Sequence, residues 1–175
     1  MPVLFEDQVR SRTLAAHWND VPLKVAAICY RLNGDGEVEF LLVRTARGRW
    51  TFPKGGVDVD GDRNGAAAAA REAYEEAGVR GRIENSSFTR YLHHKQRLFG
   101  RSRPSGVAVE AYLCEVVQLV APQEFHRDPT WFSARKAKRR LAEARPPKYA
   151  AELERVVDSA VGLIAKRAGS RRFHS

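Results

Sequence analysis

REAYEEAGV, running from Arg71 to Val79, sets three carboxylates within five residues. On a helix at about 100° per residue, Glu72, Glu75 and Glu76 fall at i, i+3 and i+4 and share one face. Ala70, Ala73, Tyr74 and Ala77 fall on the opposite face, where a core would take them. Like charges at these spacings oppose a helix by roughly 0.2–0.5 kcal/mol per pair. Alone, such a run is most often a solvated helix face. Its surroundings point instead to a bound cation. Asn64 is a good N-cap, Ala66 to Ala70 propagate a helix, and Gly78 is a natural stop just past the end. Upstream, Trp50-Thr-Phe-Pro-Lys-Gly-Gly reads as a short strand entering a glycine turn that brings backbone close to a ligand. Hard divalent ions, Mg2+ above all, prefer carboxylate oxygens and commonly bridge to substrate phosphates.

Outward from that helix the pattern is α/β. Residues 23–32 and 38–45 are β-rich and are joined by Asn33-Gly34-Asp35-Gly36, a strong hairpin signal. Short strands are expected at 50–52, 79–84 and 87–94, and a long one at 106–119. Residues 133–143 read as a basic helix. After a Pro pair, residues 147–166 place Leu153, Val156, Val157, Ala160, Val161 and Ile164 at helical spacing. Helices on a mixed sheet follow from this order. The partition expected is a polar lead-in over 1–20, one domain over 21–166, and a basic, mobile tail over 167–175.

At 175 residues the chain suits a single domain with a full core. No apolar run approaches the ~18–20 residues that span a bilayer, and no charged-then-apolar leader opens the chain. Cys29 and Cys114 lie far apart in apolar runs without metal spacing, so two buried free thiols in a reducing cytoplasm are expected.

The segment from the glycine turn to Val79 resembles the Nudix box, G-x5-E-x7-R-E-U-x-E-E-x-G-U, with U a bulky aliphatic residue. Gly55, Arg71, Glu72, Glu75, Glu76, Gly78 and Val79 match, and Ala73 is a small stand-in for the first U. Gly55 and Arg71 are two residues further apart than the pattern, and its acidic position falls on Arg63, with Asp60 and Asp62 nearby. In the family that acid pairs with the box arginine, a part Asp62 could play from a longer loop. The resemblance implies an α/β/α sandwich with a mixed sheet and a hydrolase of pyrophosphate bridges. Glu72 and Glu76 would be metal ligands, with the Gly55 carbonyl as a backbone ligand. Glu75 would be a ligand or the general base, with Glu110 and Glu115 as alternative bases, and Arg71 would orient the carboxylates. Mg2+ is the implied cofactor and Mn2+ its alternative. The residues alone explain the need: cleaving so dense an anion requires neutralised charge and activated water.

Charge is the second clue, since the formal net charge is +9 although the helix is acidic. Basic residues cluster at Arg44, Arg47, Arg49 and Lys54, at Arg90, Lys95, Arg97, Arg101 and Arg103, and at Arg135 to Arg140, followed by Arg145 and Lys148. Many of these simply solvate a surface. A positive rim around a metal site would nonetheless concentrate polyanions, and arginine forks suit phosphate. The runs Lys24 to Arg31 and Phe40 to Thr45, with Trp50, Trp131-Phe132 and Arg145-Pro-Pro-Lys148, resemble the diphosphoinositol polyphosphate phosphohydrolase branch of that family. That resemblance implies inositol pyrophosphates or diadenosine polyphosphates as substrates. It also implies phosphate contacts from Lys24, Arg44, Arg47, Arg127, Arg145 and Lys148, with Lys54 in the same basic set. Trp50 is expected in the core, and His93 and His94 are expected one packed and one facing solvent. Two other readings stay open: a pyrophosphohydrolase of RNA 5′ ends, and a non-catalytic nucleotide-binding domain that keeps the fold.

Overall fold

The computed structural model of the chain describes residues 23–94 and 106–172. The lead-in expected over 1–20 and the basic positions Lys95, Arg97, Arg101 and Arg103 lie outside the described residues. Strand β1 (Lys24–Leu32) and β2 (Val38–Arg44) form the expected hairpin. In its turn, Asn33 Oδ1 accepts from the Asp35 and Glu37 amides at 3.0 and 2.9 Å, which is how an Asn side chain mimics a backbone turn. Next come β3 (Trp50–Thr51), β4 (Lys54–Gly56), helix α1 (Gly65–Ala77), β5 (Val79–Ile83), β6 (Thr89–His94) and β7 (Gly106–Leu119). A 3-10 turn (Phe125–Arg127), β8 (Thr130–Ser133), α2 (Ala134–Ala142) and α3 (Pro147–Arg172) complete the order.

The sheet is mixed. β1 and β7 run parallel, with Lys24 opposite Val109, while β1 pairs antiparallel with β4 near its start and with β2 near its end. β7 likewise pairs first with β6 and then with β5. Because β1 is central, it is apolar on both faces, as a doubly covered strand must be. Val25, Ala27 and Cys29 pack with Ala66, Ala69, Ala73 and Ala77 of α1 in one core. Ala26, Ile28 and Tyr30 pack with Leu141 of α2 and with Leu153, Val156, Val157, Ala160 and Ile164 of α3 in the other. The result is the expected α/β/α sandwich.

Three expectations change. The buried stripe of α1 is Ala66, Ala69, Ala73 and Ala77, whereas Ala70 and Tyr74 are only half-buried; all-alanine packing brings helix and sheet close and leaves a tyrosine no room beneath. The last helix continues to Arg172 rather than ending at 166. Ala165, Lys166 and Ala168 extend it readily, and Arg167 forms an ion pair with Glu84. β4 and β8 are strands that sequence did not announce, because each is short and takes its pairing from a neighbour, β1 and β2 respectively. Cys29 and Cys114, far apart in sequence, are neighbours in space, because the parallel register sets them opposite each other. Both are the expected buried free thiols, and the hydrogen bond between their side chains, then burial, raises the Cys29 thiol well above its ordinary range.

Candidate active site

Helix α1 starts and stops where its local chemistry dictates. Asn64 Oδ1 accepts from the Ala67 amide at 2.9 Å, and Gly78 takes the left-handed conformation at φ 66°, its N–H returning to Ala73 and Tyr74. Between these two ends, Glu72 and Glu76 reach β4 at Gly55 and Lys54, and Glu75 meets Arg71.

Arg71 is the hub. Its Nη1 donates to Glu72 Oε1 at 2.9 Å and to Glu75 Oε2 at 3.2 Å. Its Nη2 donates to the Gly56 carbonyl at 3.0 Å. Nε and Nη2 also grip Asp62. Asp62 is held in place by its own turn, accepting from the Asp58 amide at 2.8 Å. It therefore makes the contact expected of the displaced acid, while Arg63 is exposed. The hydrogen bonds from Arg71, then that from the Asp58 amide, hold the Asp62 carboxyl below its usual range.

Glu72 lies directly against the glycine loop. A Cβ built on Gly55 would come within 2.1 Å of the Glu72 carboxylate, so only glycine lets that carboxylate reach the β4 backbone. Burial raises the Glu72 carboxyl despite Arg71 beside it. Glu76 borders the buried stripe and is only 4% exposed. Its Oε2 accepts from the Lys54 amide at 3.3 Å and its Oε1 pairs with Arg127 Nη2 at 3.0 Å. Burial nevertheless pushes its carboxyl up to about 7, against the pull of Arg127 and Lys54.

Arg127 arrives on the 3-10 turn, which is tied to α1 by the Glu124 amide donating to the Glu75 carbonyl at 2.9 Å. Its Nε pairs with Glu124. Glu124 is the acid near this helix that sequence reading missed, for it stands in no periodic pattern and reaches the helix only through that turn.

The basic residues divide into two groups. Lys24, Lys54, Arg127 and Arg145 are brought together: burial lowers the Lys54 ammonium to about 8, Glu76 opposing and Lys24, Arg127 and Arg145 adding to it. Arg145 is buried, and its Nη2 donates to the Trp50 carbonyl at 2.6 Å. Arg44, Arg47 and Lys148 are exposed. Arg44 lies over the Trp50 ring at 4.4 Å and pairs with Asp128 at 3.4 Å, while Lys148 sits 5.3 Å from the Tyr149 ring. Trp50 is in the core as expected, edge-on to Phe132. Both His93 and His94 are half-buried, so neither is the solvent-facing one. His94 ends β6 and turns its ring onto Tyr149, 4.8 Å away. Of the alternative bases, Glu110 is bound by Arg90 and by Tyr112 Oη. Glu115 pairs with Arg82, further along β7.

Among the described residues, no three carboxylate, imidazole or thiol groups converge as a ready metal cage. Arg71 and Arg127 occupy the carboxylate oxygens instead. The donor set still fits a hard divalent cation. Glu72, Glu75 and Glu76 offer only oxygen, Gly55 and Gly56 carry backbone carbonyls at the same point, and the Gly55 cradle leaves space that any side chain would fill.

A family model described as NUDIX domain matches residues 22–153. The chain is similar to diphosphoinositol polyphosphate phosphohydrolase 2 of Rattus norvegicus, 44% identical over 62 residues that cover 34% of this chain and 32% of that protein. Diphosphoinositol polyphosphate phosphohydrolase 3-alpha of Mus musculus is 42% identical over 62 residues, covering 34% and 35%. The chain thus spans about a third of the length of the curated relatives it matches. Among solved structures, the fold is similar to a C. elegans Ap4A hydrolase in a binary complex, with TM-score 0.64 and 22% identity over 83% of this chain and 99% of that one. It is also similar to the NUDIX domain of Shewanella oneidensis NrtR complexed with ADP ribose, with TM-score 0.60 and 18% identity over 88% and 97%.

Proposed function

The chain belongs to the Nudix family, and from that membership we propose that it is a divalent-metal-dependent pyrophosphohydrolase. Its substrate is a highly phosphorylated small molecule, a diadenosine polyphosphate or a diphosphoinositol polyphosphate. The observation that carries this reading is the arrangement of Glu72 and Glu75 around Arg71, itself gripped by Asp62 and the Gly56 carbonyl. A pure binding module has no use for three mutually repelling carboxylates held this way.

Glu72, Glu75 and Glu76, with the Gly55 carbonyl, would hold Mg2+ or Mn2+, which when bound neutralises phosphate charge and lowers the pKa of water. Glu76 would shed its proton as the cation arrives, so loading is favoured above neutrality. Arg71 keeps the carboxylates pointed at the glycine loop. Glu75, the most exposed of the three at 31%, takes the proton of the attacking water. The new bond forms from that water oxygen to phosphorus, and the bridging P–O bond breaks with its electron pair leaving on the departing phosphate. Lys24, Lys54, Arg127 and Arg145 offset the charge of the phosphate chain, and exposed Arg44, Arg47 and Lys148 draw the polyanion in. No helix among the described residues is long and apolar enough to cross a membrane, and two free buried thiols suit a reducing cytoplasm.

The test is a Mg2+-dependent hydrolysis screen with product identification, covering diadenosine polyphosphates, an inositol pyrophosphate, ADP-ribose, NADH, 8-oxo-dGTP and 5′-triphosphate RNA. Preferred cleavage of the first two, lost in EDTA and in Glu75→Gln, supports the proposal. Preferred cleavage of RNA keeps the chemistry and replaces the substrate. Full turnover in Glu75→Gln and Glu76→Gln would sink the metal-site assignment.

A further inference from the structure

The sequence holds two cysteines, and the fold brings them together. Cys29 lies on β1 and Cys114 on β7, and the parallel register sets them directly opposite each other. Both belong to the core on the α1 face, which also holds Ala73 and Ala77 of the acidic helix. Neighbouring strands of a sheet lie about 4.8 Å apart. Disulfides join Cα atoms about 4.4–6.8 Å apart, so the two strands already stand at a distance that a disulfide spans. The two side chains share a hydrogen bond.

Burial by itself argues for inertness, since Cys29 is 0% exposed and Cys114 2%, and thiols deep in apolar surroundings seldom react. Two features set Cys114 apart. The first is its cover. Here β7 is flanked by β5, the outermost strand on that side of the sheet. The pairing shifts register between Arg80 and Gly81, and Gly81 is exposed. A Cβ built on Gly81 would come within 2.8 Å of Cys114 Sγ. The sulfur therefore lies directly beneath an edge residue that has no side chain to shield it. The second is where the proton sits. The hydrogen bond from Cys29 lowers the Cys114 thiol from its ordinary range against the effect of burial, while Cys29 is raised and keeps its proton. The thiolate is the nucleophile, so Cys114 reacts first and Cys29 resolves. A cover of one glycine admits a peroxide more readily than a bulky disulfide.

We infer that Cys29 and Cys114 are a modification site, a thiol pair that hydrogen peroxide closes into a disulfide within one chain. In the first step the Cys114 sulfur attacks one peroxide oxygen and the O–O bond breaks. Hydroxide departs with the electron pair and takes up the thiol proton as water, leaving a sulfenic acid on Cys114. In the second step the Cys29 sulfur attacks the Cys114 sulfur and the S–O bond breaks. The departing hydroxide takes the Cys29 proton as a second water. Two thiols and one peroxide thus give one disulfide and two waters, the sulfurs losing two electrons and the peroxide gaining them. A small thiol reductant reopens the bond by exchange. The inference does not depend on the hydrolase reading.

The test is mass spectrometry of the full chain after brief exposure to hydrogen peroxide, quenched with catalase and labelled with a maleimide in denaturant. Wild type should lose both labelled thiols. Proteolysis without reductant should yield the Cys29 and Cys114 peptides joined, lighter than their sum by two hydrogen atoms. Dithiothreitol should restore both labels. Cys29→Ser should stop at a sulfenic acid on Cys114 that dimedone captures, whereas Cys114→Ser should leave Cys29 labelled. Retention of both labels in folded wild type, at a peroxide dose that oxidises the chain in denaturant, would overturn the pair. So would a disulfide joining two chains, or passage of Cys114 to a sulfinic acid without a bond. Equal dimedone capture at the two cysteines in the serine variants would overturn the order of the steps. If either variant fails to fold by circular dichroism, the joined peptides of wild type decide.

Discussion

Arg71 and Asp62 are joined by two parallel hydrogen bonds, Nε to Oδ1 at 3.2 Å and Nη2 to Oδ2 at 3.0 Å. This is the fork geometry in which guanidinium and carboxylate match best. Through it a residue on the loop before α1 fixes the arginine that fixes two helix carboxylates. The two residues added between Gly55 and Arg71 therefore move the orienting acid along the chain without removing it.

Asp62→Ala should lower turnover by about 10–100-fold, the usual cost of losing a partner that orients metal ligands. Arg63→Ala, which alters the position where the pattern expects an acid, should leave it within about twofold, as exposed substitutions usually do. Steady-state kinetics on the same substrate checks both. Equal effects at the two positions would mean that the fork does not orient the site.

Gly55→Ala should leave the fold standing and impair the site. The new Cβ meets the end of the Glu72 side chain, which can swing aside at small cost to stability but then no longer lies against the loop. A fall of about 10–100-fold in Mn2+ affinity is expected, with little change in circular dichroism. Unchanged Mn2+ affinity would count against Glu72 as a ligand.

Gly78→Ala should do the reverse. Its φ of 66° disfavours any other residue, and the added Cβ would come within 1.9 Å of the Val120 carbonyl oxygen, which is backbone and cannot swing away. Loss of about 2 kcal/mol or more follows from the left-handed conformation together with overpacking. Chemical denaturation measures it, and whatever remains folded should keep its kcat.

His93→Asn should alter how stability depends on pH. The folded pKa of His93 is depressed to about 2, below the value of about 6.5 in an unfolded chain. Between those limits the unfolded state binds the extra proton. His93 therefore costs stability progressively as pH falls below about 6.5, and the loss is absent above it. Glu76, raised to about 7, acts with the opposite sign between about 4.3 and 7, so the difference between variant and wild type is the quantity to read. Thermal melts of both in EDTA from pH 7.5 to 5 should show the variant losing less stability on acidification. Parallel curves would mean that His93 is not buried among cations.

The acidic helix was legible because everything that defines it is short-range. Asn64 caps it, Gly78 ends it, and the Glu72, Glu75 and Glu76 spacing follows from helical pitch, so the cap and stop expected at Asn64 and Gly78 bracket the observed Gly65–Ala77. The hairpin at Asn33 and the long strand Gly106–Leu119 were legible for the same reason. Which side of α1 was buried was less so, because Tyr74 and Ala70 fit an apolar face in the abstract, and only the close approach of the sheet admits alanine there and excludes tyrosine.

The helix, its cluster of carboxylates, the glycine loop ahead of it and the α/β class were thus readable from the residues, since local hydrogen bonding, capping and periodicity act within a few residues. Tertiary structure alone decided the rest. Strand register set Cys29 beside Cys114 and put Lys24 in line with Tyr91. A turn far along the chain delivered Arg127 to Glu76, and another brought Arg145 to Trp50. These pairs are distant in sequence, and no local preference encodes them. They are fixed only when both faces of the central strand are buried and the sheet has one register that buries them.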